Sequence, residues 1–119
     1  MTGIADIVLA DLLEVFGERD PERRRAAVAR LCAEDVEFAD AEGTLTGRDA
    51  LVAKAQQILD GAPGFVFTPE GDVRVVQDLG YLAWGFGPEG APPVVRGADI
   101  VIVRDGLITS IHTLLDGAA

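Results

Sequence analysis

The stretch GADIVIVRDGLI, residues 97–108, carries the strongest fold signal in the chain. Its Asp105–Gly106 pair is typical of a tight β-turn, which predicts a hairpin between strands over 94–103 and 107–115. The first of these strands is apolar on both faces, with one face formed by Ile100 and Ile102 and the other by Val101 and Val103. A sheet with one face in water alternates polar and apolar residues instead. We therefore expect both faces of this sheet to be covered.

Upstream of this hairpin, apolar residues recur at helical spacing in three segments. The first segment ends at Gly17, the second begins at Asp20–Pro21 as N-cap and first helical residue, and the third follows a Thr46/Asp49 capping pair. Helices first and antiparallel strands after them predict an α+β domain. The 119 residues suffice for a single domain over 1–119. Helices can cover only one face of its sheet, so we expect a second copy to cover the other, as a homodimer.

The composition excludes several classes of partner. The chain carries 20 acidic and 10 basic residues, a formal charge of −10, which disfavours nucleic acids and anionic membranes. No apolar run approaches the ~18 residues that a membrane span needs. The single cysteine, Cys32, excludes an internal disulfide and a cysteine-based metal cage. With no secretory signal at the start of the sequence, we expect a cytoplasmic protein.

Two carboxylates fall on apolar strand faces. Asp40 alternates with Val36 and Phe38, and Asp99 alternates with apolar residues of the 94–103 strand, so both are expected to point inward. A buried carboxylate raises its pKa or acquires a partner. The pair could therefore act as a base and a protonated hydrogen-bond donor. Two structural alternatives remain: Asp40 capping the turn that follows it, and Asp99 paired with Arg96 or Arg48.

We expect an internal pocket around these carboxylates. Its predicted lining is Leu12, Phe16, Phe38, Trp84, Val101, Ile111 and Thr113. The single histidine, His112, has no second ligand at metal spacing, so no metal site is predicted. Whether His112 faces the pocket or a dimer interface depends on the register of the hairpin.

The sequence resembles the SnoaL-like branch of the nuclear transport factor 2-like superfamily. The similarity lies in AEDVEFADAEGTLTGRDAL (33–51) and GADIVIVRDGLI (97–108), together with Asp20–Pro21 and with Trp84 followed by GFGP. It covers nearly the whole chain. It implies a cone-shaped α+β barrel, with about three N-terminal helices packed on a curved, mostly antiparallel sheet that usually dimerises. The superfamily includes ketosteroid isomerases, limonene epoxide hydrolases, polyketide cyclases and non-catalytic binding domains.

Matched to the isomerases, Asp40 occupies the place of the proton-shuttling aspartate and Asp99 that of the protonated oxyanion-hole aspartate. The place of the oxyanion tyrosine is taken by Leu12, and those of two supporting tyrosines by Cys32 and Ala55. The resemblance therefore implies the isomerase carboxylates without their hydroxyl network.

The epoxide-hydrolase pattern is also incomplete. Its arginine two residues before the sheet aspartate is matched by Gly97, and its second aspartate by Thr113. The water-activating triad of that family is therefore not expected here.

Two functional hypotheses follow. The first is an isomerase- or cyclase-like enzyme that needs no cofactor and uses acid–base chemistry on an apolar, carbonyl-bearing small molecule, with Asp40 moving the proton and protonated Asp99 steadying the oxyanion. The second is a non-catalytic domain of the same fold that binds an apolar molecule or serves as a dimerising accessory module. The ionisation of the pocket carboxyls discriminates between them.

Overall fold

The structure, a computed structural model, describes residues 3–117 as three α-helices and a seven-stranded sheet. The helices are α1 (Ile4–Ala10), α2 (Pro21–Leu31) and α3 (Arg48–Asp60), and α1 continues as a π-helical segment over Asp11–Phe16. The strands are β1 (Cys32–Asp40), β2 (Gly43–Thr46), β3 (Phe65–Pro69), β4 (Arg74–Val76), β5 (Leu79–Pro88), β6 (Val95–Arg104) and β7 (Leu107–Leu115). No helix in this part of the chain is long and apolar enough to cross a membrane.

The helix boundaries follow local chemistry with one exception. Asp20 caps α2 as predicted, because its Oδ1 accepts the backbone N–H groups of Glu22 at 2.9 Å and Arg23 at 3.3 Å. The predicted capping pair of α3 is wrong. Thr46 belongs to β2, and the chain turns into α3 at Gly47, whose φ of 102° suits glycine.

The sheet has the strand order β2-β1-β7-β6-β5-β3, and β4 also pairs with β5. Every pair is antiparallel except β1 with β7, which run parallel. The three helices pack on one face of this curved sheet and leave the other uncovered. This confirms the predicted α+β class and the cone-shaped arrangement.

The predicted β6–β7 hairpin is confirmed and sets the register of the site. Asp105 and Gly106 form its turn with φ values of 52° and 78°, the left-handed values that such a turn requires. Its register places Asp99 directly opposite Thr113, and β5 places Leu82 on the other side of Asp99. These side chains therefore share the face of the sheet that the helices cover.

The opposite face of the sheet is apolar and partly exposed in the single chain. Ile100 and Ile102 are half-buried there, while Leu114 is 58% and Val76 62% exposed. His112 is exposed on the same face, since it pairs with Ile100 across β6–β7. The histidine thus points away from the helix-covered side.

Candidate functional site

A cavity of about 220 Å³ lies between the helices and the covered face of the sheet. Its wall is largely aromatic and aliphatic, and the polar side chains that reach it are Asp40, Glu42, Lys54, Asp99 and Thr113. The volume is below the roughly 300–1,000 Å³ of pockets for drug-sized ligands. The cavity therefore suits a compact molecule, or one end of a longer molecule.

Five of the seven side chains expected at the pocket line this cavity: Leu12, Phe16, Phe38, Trp84 and Thr113. Val101 and Ile111 do not line it and are completely buried in the core. They share the face of Asp99 and Thr113, but lie two residue pairs further along the hairpin. There α1 packs directly on the sheet, since a Cβ added to Gly80, the neighbour of Val101, would lie 2.6 Å from a Val8 methyl group.

Asp99 is held at the cavity by two neutral donors. Its side chain is buried, and its Oδ1 accepts hydrogen bonds from Trp84 Nε1 at 3.0 Å and Thr113 Oγ1 at 2.8 Å. No residue within 3–117 donates a hydrogen bond to Oδ2. The two hydrogen bonds to Oδ1 therefore fix the orientation of the carboxylate, and Oδ2 is left for a ligand.

The arginine partners considered for Asp99 are engaged elsewhere. Arg96 pairs with Glu70 at 3.2 Å, and Arg48 donates to the backbone carbonyl of Cys32 at 3.0 and 2.7 Å. Within residues 3–117 no arginine pairs with Asp99, so no cation from this part of the chain compensates its burial.

The environment of Asp99 places its titration close to neutrality. Burial raises the pKa of Asp99 to about 6, although the hydrogen bonds from Thr113 and Trp84, which favour the carboxylate, act in the opposite direction. Both the ionised and the protonated form of Asp99 are therefore accessible near neutral pH, and the protonated role expected from the sequence stays a prediction.

Asp40 also lines the cavity, but both of its oxygens have partners. Oδ1 accepts the backbone N–H of Glu42 at 2.9 Å, which is the turn-capping arrangement considered from the sequence. Oδ2 lies 3.2 Å from Nζ of Lys54. Asp40 therefore caps the turn and also lines the cavity, and it is less available to a ligand than Asp99.

The sequence analysis missed Lys54, whose side chain is only 9% exposed. Its ammonium lies 2.7 Å from Glu42 Oε1, and the hydrogen bonds with Glu42 and Asp40 raise the pKa of Lys54 despite its burial. A signal was present in the sequence, because Lys54 falls three residues after Leu51 and four before Ile58, on the apolar stripe of α3.

A second missed group is Asp11, which is completely buried in the π-helical segment. Neither of its side-chain oxygens has a hydrogen-bond partner within residues 3–117. Burial, reinforced by the negative charge of Asp99, raises the pKa of Asp11 well above its ordinary value. Its position between Val8 and Val15 on the helical stripe was the available signal.

A curved sheet with helices packed on one face is the nuclear transport factor 2-like fold, which this chain shares with solved structures described by that name. The family model described as the SnoaL-like domain matches residues 9–111. The chain therefore belongs to the SnoaL-like family. No curated protein matches the sequence.

Solved structures agree with this fold. A proposed isomerase of the SnoaL-like family from Agrobacterium tumefaciens is 25% identical, with a TM-score of 0.86 over 93% of this chain and 95% of that one. A proposed SnoaL-like polyketide cyclase from Jannaschia is 18% identical, with a TM-score of 0.79 over 95% of this chain and 85% of the other. A proposed ketosteroid isomerase from Kribbella flavida is 18% identical, with a TM-score of 0.73 over 98% and 79% of the two chains.

Proposed function

We propose that this protein is an isomerase- or cyclase-like enzyme that moves a proton on a compact, apolar, carbonyl-bearing molecule. The observation that carries this proposal is Asp99: a buried carboxylate at an apolar cavity, with one oxygen held by Trp84 and Thr113 and the other left for a ligand. A general base works best when its pKa lies near the working pH, and that of Asp99 is raised to about 6.

The proposed roles differ from those expected from the sequence. Asp99 acts as the base, because Asp40 already engages Lys54 and the Glu42 backbone. The carboxylate removes the proton next to the ligand's carbonyl, and the C–H electron pair moves into the carbonyl to give an enolate. Asp99 then returns the proton to another carbon, which completes an isomerisation. If the enolate carbon adds to a second carbonyl instead, the proton passes to the new alkoxide and a ring closes. Both routes balance with groups of the chain and the ligand alone.

The test uses cyclohex-3-enone as a probe of defined chemistry. NMR in deuterated buffer follows exchange of its α-protons and its conversion to the conjugated isomer. We expect the wild-type protein to accelerate both processes, and Asp99→Asn to lower the rate roughly 100- to 10,000-fold, the usual contribution of a general base. Asp35→Asn, which changes an exposed carboxylate of β1, is the matched control.

Three outcomes would contradict the proposal. Turnover by Asp99→Asn at the wild-type rate would exclude Asp99 as the base. Loss of turnover in Asp40→Asn alone would return the proton transfer to Asp40. Absence of any acceleration by the wild-type protein, on this probe and on related ketones, would count against catalysis.

The second candidate is a non-catalytic domain that binds an apolar small molecule in the same cavity. It is supported by the largely apolar lining and by the Lys54 pairing of Asp40. Trp84, the single tryptophan, lines the cavity and reports binding by its fluorescence. Saturable quenching by the ketones without any proton exchange would favour this function.

We also propose that the protein forms a homodimer through the sheet face opposite the helices. This is supported by the apolar and partly exposed residues of that face, among them Leu114 at 58% exposure. Sedimentation at micromolar concentration should give a dimer for the wild type and a monomer for Leu114→Glu. A wild-type monomer would refute the proposal.

A further inference from the structure

Lys54 is placed where a ligand would meet it. It projects from α3 to the cavity with a side chain 9% exposed, and it is the one cation among the described residues that line the cavity. The other nitrogen or hydroxyl donors at the wall, Trp84 and Thr113, already donate to Asp99. Lys54 is therefore the donor best able to meet a ligand oxygen.

The hydrogen-bonding capacity of Lys54 is not exhausted. An ammonium group has three N–H donors. Two of them account for Asp40 Oδ2 at 3.2 Å and Glu42 Oε1 at 2.7 Å. The third N–H has no acceptor among residues 3–117 and is left for a ligand oxygen. Glu42 lies on the turn between β1 and β2, and its side chain is 76% exposed whereas that of Lys54 is 9% exposed.

We propose that Lys54 is the electrophilic catalytic residue of this site: its ammonium binds the carbonyl oxygen of the ligand and stabilises the negative charge that develops there. The inference rests on the proposed function, in which Asp99 creates that charge by removing the neighbouring proton. As the C–H bond breaks, its electron pair moves toward the oxygen, the proton goes to Asp99, and Lys54 donates a hydrogen bond without losing its own proton.

The carboxylates beside Lys54 keep it cationic, while they also compete with a ligand for its N–H groups. Pairing with Glu42 and Asp40 raises the pKa of Lys54, so it remains cationic at neutral pH and acts as a fixed charge. In a cavity with few polar groups, such a charge is screened less than in water, and a charge-assisted hydrogen bond is stronger than a neutral one. A substrate that uses Lys54 in this way must carry a carbonyl group that can form an enolate.

The test measures binding and does not depend on turnover. 4-Nitrophenol serves as the probe, because its phenolate resembles an enolate oxygen on an apolar ring and differs from the phenol in absorption spectrum. We expect the wild-type protein to bind phenolate in preference to phenol. Lys54→Met should weaken phenolate binding about tenfold or more and leave phenol binding nearly unchanged. Lys54→Arg should retain the preference.

A change of the opposite sign provides the matched control. Glu42→Gln removes a carboxylate that competes for Lys54, so it should strengthen phenolate binding several-fold. Lys54→Gln is a second neutral variant if Lys54→Met folds poorly, as judged by circular dichroism and thermal unfolding.

The inference is overturned if the wild type shows no preference for phenolate, if Lys54→Met and Lys54→Gln keep that preference, or if they weaken phenol and phenolate equally. Asp99→Asn separates this result from the proposed function, because it removes the base but retains Lys54. Unchanged phenolate binding in the Lys54 variants together with lost proton exchange in Asp99→Asn would remove the role of Lys54 and leave Asp99 as the base. Weakened phenolate binding in the Lys54 variants together with unchanged proton exchange in Asp99→Asn would retain Lys54 as the oxyanion site and exclude Asp99 as the base.

Discussion

Replacement of Asp99 by asparagine should change how the stability of the protein depends on pH. The pKa of Asp99 is raised to about 6 in the folded chain, from an ordinary value of 3.8. Between these values the folded chain retains a proton that the unfolded chain has lost. The stabilisation linked to Asp99 is therefore complete below about pH 4 and is lost as the pH rises through about 6.

The size of the effect follows from the same two values. Their separation is about two pKa units, and each unit corresponds to about 1.36 kcal/mol, so Asp99 should remove about 3 kcal/mol from the free energy of unfolding between acid and neutral pH. Asparagine is nearly isosteric and keeps an acceptor for Trp84 and Thr113, but it cannot ionise. Removing the charge of Asp99 also removes one of the causes that raise the pKa of Asp11, which further favours the stability of the variant.

The measurement is urea unfolding of the wild type, Asp99→Asn and the surface control Asp35→Asn at several pH values from about 4.5 to 7.5. The difference between wild type and Asp99→Asn should grow with pH toward about 3 kcal/mol in favour of the variant. The other carboxyls titrate in all three proteins, and so cancel to first order. Parallel pH profiles for wild type and Asp99→Asn would refute the burial argument on which the proposed base depends.

Three further predictions concern neighbouring residues. Thr113→Val removes a hydrogen bond that favours the carboxylate of Asp99 and should raise the pKa of Asp99 above about 6; carboxyl-carbon NMR measures it, and an unchanged or lower pKa would exclude that role. Asp11→Asn removes a buried acid whose pKa is raised. As pH rises above about 4, the free energy of unfolding of this variant should therefore fall less than that of the wild type; urea unfolding that gives the same dependence of stability on pH for both proteins would contradict this. Gly97→Ala would place a Cβ 2.5 Å from the backbone oxygen of Leu114 and 2.8 Å from the Trp84 ring, and the overpacking should lower the free energy of unfolding by about 1–3 kcal/mol; wild-type stability in chemical denaturation would show that both neighbours can move aside.

The sequence was sufficient where local chemistry decides the structure. The cap at Asp20 and the hairpin turn at Asp105–Gly106 are set by residues within a few positions of each other. Strand periodicity then placed Asp99 and Thr113 on the covered face, because side-chain direction alternates along a strand. These features need no information about distant segments.

The sequence was insufficient where the partner of a side chain comes from a distant segment. Nothing local to Asp40 indicates that Lys54 reaches it from α3, and nothing local to Asp99 identifies Trp84 as its donor. The π-helical segment is similar, since an ordinary helical stripe does not reveal a wider turn. The partners of both carboxylates could therefore be identified only from the folded structure.

The parallel pairing of β1 with β7 has a consequence for folding on the ribosome. Phe38 is synthesised well before Ile111, its neighbour across this pairing. A nascent chain that lacks β7 cannot join β1 and β2 to the rest of the sheet, and it also lacks the wall of the cavity that contains Thr113. Local helices can form during translation, but this long-range pairing must wait until β7 has been synthesised, and until then the apolar residues that the sheet later covers stay exposed.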